Sequence, residues 1–465
     1  MSQVAPHLDC RGVPTSCQDA GLLAALEPLL EDNLTFRGDP VAGVDKLLEA
    51  HPDFIMGHIF KAALLTQAME TRIYDSMLTS LQTAEALWDQ AHPREQGHMR
   101  ALRAWVEGDF FGAVQRWEEV LVTYPLDLLA LEMVHLTDVL LGDVVGQRDS
   151  VARVFPLWDE SIPGYEFVLG FYSFGLEENR DFADAEEHGR RALAMRPGHP
   201  YAIHAVVHVM EMQGRQSGGI WFMTSRQDDW AHSNFRNHLW WHLALLHLDL
   251  QQTDRVLEIY DQHLRSGDMQ GDKYEELDAA ALLWRLKLLD VPVGDRWQEL
   301  ADKWEGSAED TLYAFNDVHA MMCFVSAGRS DLAERLLNAN ERYCEHANDA
   351  NVAMSREMGI PFLRALQDFA NEDYSACVER LVPVRYRTHR LGGSFAQRDI
   401  IGWTLLEAAL RDGRHDLALA LAHERCGVKP SSPQNWTLVA RAHKGLGAET
   451  RAAQAEARCR SLIAA

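Results

Sequence analysis

The chain has 465 residues, 47% of them hydrophobic and 24% charged, with a formal net charge of −25. That length exceeds what a single core usually supports, so either several domains or one elongated repeat array is expected. The acid excess repels phosphate backbones and anionic lipid, which argues against nucleic-acid and membrane-surface partners.

Seven cysteines are scattered with no CxxC pair, so neither a disulfide framework nor a cysteine zinc site is indicated. The first residues lack a basic and apolar leader, and no apolar run reaches 18 positions. A soluble, cytoplasmic protein with no membrane span is the expectation.

From about Asp19 onward apolar residues recur at helical spacing, and strand-type alternation is absent. The spacing predicts one continuous array over 1–465, with an N-terminal extension at 1–18, a repeat core at 19–430 and C-terminal capping helices at 431–465. A turn signature repeats along the core. It reads Gly108-Asp109-Phe110, Asn179-Arg180-Asp181, Gly328-Arg329-Ser330-Asp331, Asn371-Glu372-Asp373 and Gly413-Arg414-His415-Asp416. Gly or Asn ends one helix and Asp caps the next. Pro52, Pro125 and Pro197 close second helices at separations of 73 and 72 residues, close to two tetratricopeptide units. The fold class predicted is all-α: about two dozen helices in tetratricopeptide-like hairpin repeats, wound into a right-handed superhelical solenoid with a concave groove. A HEAT-like array would share the rhythm.

Within the core, 201–213 and 233–250 read as successive first helices, with 218–230 as the second helix between them. The first carries His204, His208 and Glu211, and the other carries His238 and His242. Positions i, i+4 and i+7 of an α-helix lie within about 60° of one another, so each set shares one face. The step from His204 to His238 is 34 residues, one tetratricopeptide period. Both sets therefore line the same surface of neighbouring repeats.

Two strings elsewhere are distinctive, Asp149-Ser-Val-Ala-Arg153-Val-Phe-Pro156-Leu-Trp158 and Leu391-Gly-Gly393-Ser394-Phe-Ala-Gln397-Arg398-Asp399. Together with Phe54-Ile-Met-Gly57-His58, Tyr172-Ser-Phe-Gly175-Leu176, Arg296-Trp297-Gln298 and Phe315-Asn316-Asp317-Val-His319, they carry a resemblance to the tetratricopeptide repeat protein 38 family. It spans nearly the whole chain and is weakest over the last 40 residues. The resemblance implies an all-helical repeat fold in a soluble protein and brings no established reaction with it.

The candidate metal ligands are His204, His208, His238 and His242, since neutral imidazoles suit zinc or iron. As catalytic groups, His204, His208, Glu211 and His242 would supply acid–base chemistry, with Glu211 as a further ligand or a base. The motif is not HExxH. A structural alternative has the histidines packing against Trp221, Trp230, Trp240 and Trp241. Further groove-lining candidates for ligand binding are His58, His238 and Trp241. Glu276, one period beyond His242, joins them, as do Asp317 and His319. Arg398 and Asp399 complete the set, beside a Gly-Gly-Ser turn whose helix N-terminus would attract an anion. Arg153 and Trp158 are expected to lock two repeats together. His319 and Cys323 would share a helix face, with a buried, inert thiol the expectation. No GxGxxG, P-loop or GxSxG pattern is present.

Two functions fit. One is a repeat scaffold binding a small molecule or a peptide or protein segment in a His/Trp/acid-lined pocket. The other is a hydrolase- or lyase-type enzyme built on the same histidines. A homodimer is compatible with either.

Overall fold

A computed structural model describes residues 7–265 and 273–464, and positions 1–6 of the expected N-terminal extension lie outside them. Among the described residues there are 26 α-helical segments and one antiparallel ribbon, His7–Leu8 with Pro14–Thr15. The fold is all-α and made of tetratricopeptide-like helical hairpins. The ribbon is a small departure from the strand-free expectation. Asp9 Oδ1 accepts from the N–H groups of Arg11 and Val13, each at 2.9 Å, which turns the chain back on itself.

The recurrent turn works as expected at Asp109 and Asp373, whose carboxylates accept from the Gly112 and Ala376 N–H groups at 2.9 and 3.0 Å. It departs elsewhere. Arg329 and Arg414 occupy the N-cap positions of Ser330–His346 and His415–Val428. Asp331 and Asp416 fall inside the first turn, where negative charge still complements the helix dipole. Where the turn begins with Asn, the next residue takes the left-handed conformation, Arg180 at φ 67° and Glu372 at φ 61°. Pro52, Pro125 and Pro197 stand just past helices ending at Ala50, Thr123 and Met195, since proline cannot continue a helix.

The chain divides into two compact units, Met1–Val206 with Asp228–Arg236, and Val207–Gln227 with Asn237–Ala465. In the first, Pro93–Val106 packs on Phe110–Thr123, and Tyr165–Glu178 packs on both Val144–Val154 and Phe182–Met195. The Asp149–Trp158 string locks neighbouring hairpins, through Arg153 to Glu118 and Trp158 Nε1 to the Pro125 carbonyl, both at 3.0 Å.

Gly175 sets the spacing of one of these packings. A Cβ there would lie 2.6 Å from the Gln147 carbonyl oxygen and 2.8 Å from the Arg148 Cα. Those are backbone atoms that cannot turn aside. Gly175→Val is therefore expected to destabilise the first unit by about 1–3 kcal/mol, read as a lowered unfolding midpoint. An unchanged midpoint would show that the two helices separate without penalty.

In the second unit, Lys273–Leu288 packs on Ala314–Ser326 and Phe395–Arg411, and Phe395–Arg411 packs on Pro433–Gly445. Lys273–Leu288 is buried along nearly its whole length, including Glu275, Glu276, Asp278 and Arg285. Each of these four buried charged residues needs a partner. The helix expected at 218–230 is two pieces, Gln216–Thr224 and Gln227–Trp230. Ser225, at the break, donates its hydroxyl back to the Phe222 carbonyl at 3.4 Å. No helix among the described residues is long and apolar enough to cross a membrane.

Candidate metal centre and its polar surroundings

Two helices of the expected register bring three histidines of the second unit together. His208 lies on Pro200–Met212, and His238 and His242 lie one turn apart on Arg236–Asp249. Leu, Val, Met and Trp side chains flank them on both helices, and the three imidazoles are 0–3% exposed. Each brings a ring nitrogen to within 4.8 Å of the other two. The His208 and His242 ring centroids are 4.4 Å apart, and those of His238 and His242 are 4.7 Å apart, at 89°.

At His238 a carboxylate decides which nitrogen faces inward. His238 Nδ1 is 2.8 Å from Asp278 Oδ2, and His242 Nδ1 is 3.5 Å from Glu211 Oε2. A ring donating its Nδ1–H to a carboxylate keeps a lone pair on Nε2. The two Nε2 atoms are 3.2 Å apart. Either one proton is shared between them or both accept the same cation. Tetrahedral coordination with bonds of about 2.0–2.1 Å sets neighbouring ligand atoms roughly 3.3–3.4 Å apart, close to the observed separation.

Burial holds His242 well below the ordinary imidazole range, reinforced by His208 and His238, so the ring is in the neutral form that a metal requires. Burial alone would raise Glu211. Lys429, with Nζ 2.6 Å from Glu211 Oε1, and His208 outweigh it and keep the carboxylate below its usual range. Trp241 stacks on His238 at 5.3 Å and 17°, and the Arg285 guanidinium lies 5.3 Å from the Trp241 ring centroid.

The other candidates are placed as follows. His204, one turn before His208 on the same helix, packs in the first unit against Phe174, Tyr201 and Phe235. His58, also in the first unit, directs Nε2 to the Pro52 carbonyl at 2.8 Å, a local contact at the helix entry. Glu276 is engaged by Arg265 at 3.0 Å, so the residue meeting the histidines is Asp278 and not the one found by counting 34 from His242. The chain before Lys273–Leu288 includes a π-helical turn, Tyr260–Leu264, and does not keep the repeat length.

Asp317 is buried, and desolvation pushes it up to about 7. His319 is directed by its Nδ1 to the Phe315 carbonyl at 2.7 Å, and burial lowers it to about 4. Burial also raises Cys323 well above its ordinary range, so the inert thiol expected there is what the fold provides.

The Gly-Gly-Ser turn is a helix cap. Ser394 and Gln397 form a reciprocal capping box at 2.9 and 3.3 Å, which occupies two of the donors expected to hold an anion. Arg398 reaches back to the Gly393 carbonyl, and Asp399 is held by Arg425 in a two-bond pair at 2.7 and 2.9 Å. Trp221 is 71% exposed, Trp240 stacks on His263 at 3.6 Å, and Trp241 stacks on His238.

Sequence reasoning missed Asp278, Arg285 and Lys429. Asp278 had a signal, the acid-rich run Tyr274-Glu275-Glu276-Leu277-Asp278. Lys429 had none, because it meets Glu211 across 218 residues of chain.

No family model matches the chain. Among solved structures, a human IFIT1 dimer with m7Gppp-AAAA is similar over 96% of this chain and 96% of that one, at 12% identity and a TM-score of 0.42. Yeast Tom70 is similar over 95% of this chain and 88% of that one, at 12% identity and a TM-score of 0.34.

Proposed function

We propose that this chain is a helical-repeat protein that holds a transition-metal cation, zinc or iron, on His208, His238 and His242. One observation carries the proposal: the His238 and His242 Nε2 atoms face each other at 3.2 Å, with Asp278 hydrogen-bonded behind His238 and Glu211 3.5 Å behind His242. Carboxylate backing of this kind orients metal-binding imidazoles and raises their basicity. The donor set of neutral imidazoles and carboxylates suits zinc or iron better than calcium or magnesium, which take oxygen ligands.

Enclosure of the three rings favours a small molecule over a peptide as any further occupant. The acid excess of the chain disfavours nucleic acid in that role. The resemblance to the tetratricopeptide repeat protein 38 family accords with a soluble repeat protein and supplies no reaction. An enzymatic role of hydrolase or lyase type is the second proposal. What favours it is Glu211, which touches His242 and also lines a cavity of about 40 Å³, where it would serve as a proton acceptor.

Elemental analysis of the purified full chain tests the first proposal. Reconstitution with zinc or iron is expected to give about one equivalent per chain, falling below roughly a tenth in the His238→Ala/His242→Ala double variant. Wild-type protein that stays below that lower level after reconstitution would overturn it.

A further inference from the structure

Six ionisable side chains of the second unit line the 40 Å³ cavity beside Glu211: Glu211, Asp249, Arg285, Asp399, Arg425 and Lys429. Two of the cations are matched to acids. Lys429 pairs with Glu211 at 2.6 Å, and Arg425 grips Asp399 at 2.7 and 2.9 Å. The third acid, Asp249, is satisfied by neutral donors, the Ser432 hydroxyl at 2.5 Å, the Gln434 N–H at 3.3 Å and the Gln216 amide. Arg285 is thus the odd charge. The residue is 2% exposed, and its guanidinium donates to two backbone carbonyls, Ala281 at 3.0 Å and Ala396 at 2.7 Å. No ion pair is made by Arg285 among the described residues.

A guanidinium carries five N–H donors, so these two bonds leave donors for a ligand. Burying such a charge without a directly bonded counterion is unfavourable, and an anion in the cavity would supply one. Burial lowers Arg285 to about 10, and the Asp399, Glu211 and Asp278 carboxylates offset that only in part. The cavity has room for roughly two or three water molecules, which sets a tight size limit. A neighbouring cavity of about 170 Å³ shares Asp399, Arg425, Lys429 and Asn435 as a common wall and opens at Tyr386, which is 70% exposed.

We infer that this cavity is a binding site for a small carboxylate anion, of formate to acetate size, seated on the Arg285 guanidinium. Planar carboxylates match the guanidinium fork, and the Arg285 side chain is already fixed by its two carbonyls and by stacking on Trp241. Trp241 in turn lies on His238, and Glu211 lies against His242. The bound anion therefore sits beside the histidine cluster. In this respect the inference deepens the metal proposal and rests on it for the ligand's role, while the anion site itself stands on Arg285 and the cavity.

Calorimetric titration of the full chain with acetate, in chelator-treated and in zinc-reconstituted protein, tests it. Saturable binding is expected in both, weakened at least about tenfold by Arg285→Gln. Arg285→Lys, which keeps the charge and loses the fork, provides the second variant should Arg285→Gln not fold, and is also expected to weaken acetate. Butyrate is expected to bind more weakly than acetate. Wild-type protein that binds no acetate overturns the inference, whatever its metal content. So does a folded Arg285 variant that binds acetate as tightly as wild type, or butyrate binding equal to that of acetate. Acetate binding by wild-type protein that takes up no zinc or iron on reconstitution supports the anion site and overturns the metal proposal alone.

Discussion

Asp278→Asn is expected to weaken zinc retention by the histidine cluster by about 10–100-fold, measured by competition with a chelator. Asp278 Oδ2 sits 2.8 Å from His238 Nδ1 in a fully buried position. Its charge does two things there. It fixes the tautomer that turns the His238 Nε2 lone pair toward His242, and it makes that lone pair a better donor. Asparagine keeps the shape and offers a neutral acceptor, so the ring would stay in place while its basicity falls. Loss of affinity with an unchanged unfolding midpoint of the metal-free protein is the outcome expected. Affinity within twofold of wild type would show that Asp278 is an ordinary partner of a structural histidine.

The largest stability effect is expected from Glu132→Gln. Glu132 is 3% exposed, accepts from Asn33 Nδ2 at 2.6 Å and Gln67 Nε2 at 3.5 Å, and desolvation raises it to about 8 from an ordinary 4.5. A folded value above the unfolded one means that the protonated side chain stabilises the fold below pH 4.5. That stability is lost as pH rises from there through 8. Each unit of displacement corresponds to about 1.4 kcal/mol, so the whole loss is on the order of 3–5 kcal/mol. Glutamine keeps a carbonyl acceptor and cannot ionise. The variant should match wild type near pH 4 and unfold at a higher temperature at pH 9, by roughly 5–10 °C. A midpoint difference that does not grow with pH would refute the burial argument. His135 and His199, each lowered to about 3 by burial, act in the opposite sense and withdraw stability as pH falls below 6.5.

The hairpin architecture was legible because it is local. Helical spacing, the Gly or Asn at helix ends and the prolines beyond them each act within a few residues, and they predicted the hairpins around Asp109, Asp373 and Pro197. The histidine helices were legible for the same reason, since a turn of helix fixes which side chains share a face. What lay beyond reach was set by tertiary pairing. Counting one period from His242 led to Glu276, which Arg265 holds, and passed over Asp278 two residues later. Arg285 looked like any helical arginine. Its meaning depends on Ala396, Lys429 and Asp399 being brought around it from a different part of the chain. The Gly392-Gly393-Ser394 turn shows the converse. Its composition allowed an anion site, but the side chain of Gln397 closes the helix end as a capping box.

Whether a metal occupies the histidine cluster is the central question, and anomalous diffraction from crystals of the reconstituted full chain at the zinc and iron absorption edges answers it directly. One strong anomalous peak is expected within bonding distance, about 2.0–2.2 Å, of the ring nitrogens of His208, His238 and His242. Ordered electron density at all three imidazoles with no anomalous peak among them, in protein reconstituted with either metal, would contradict it.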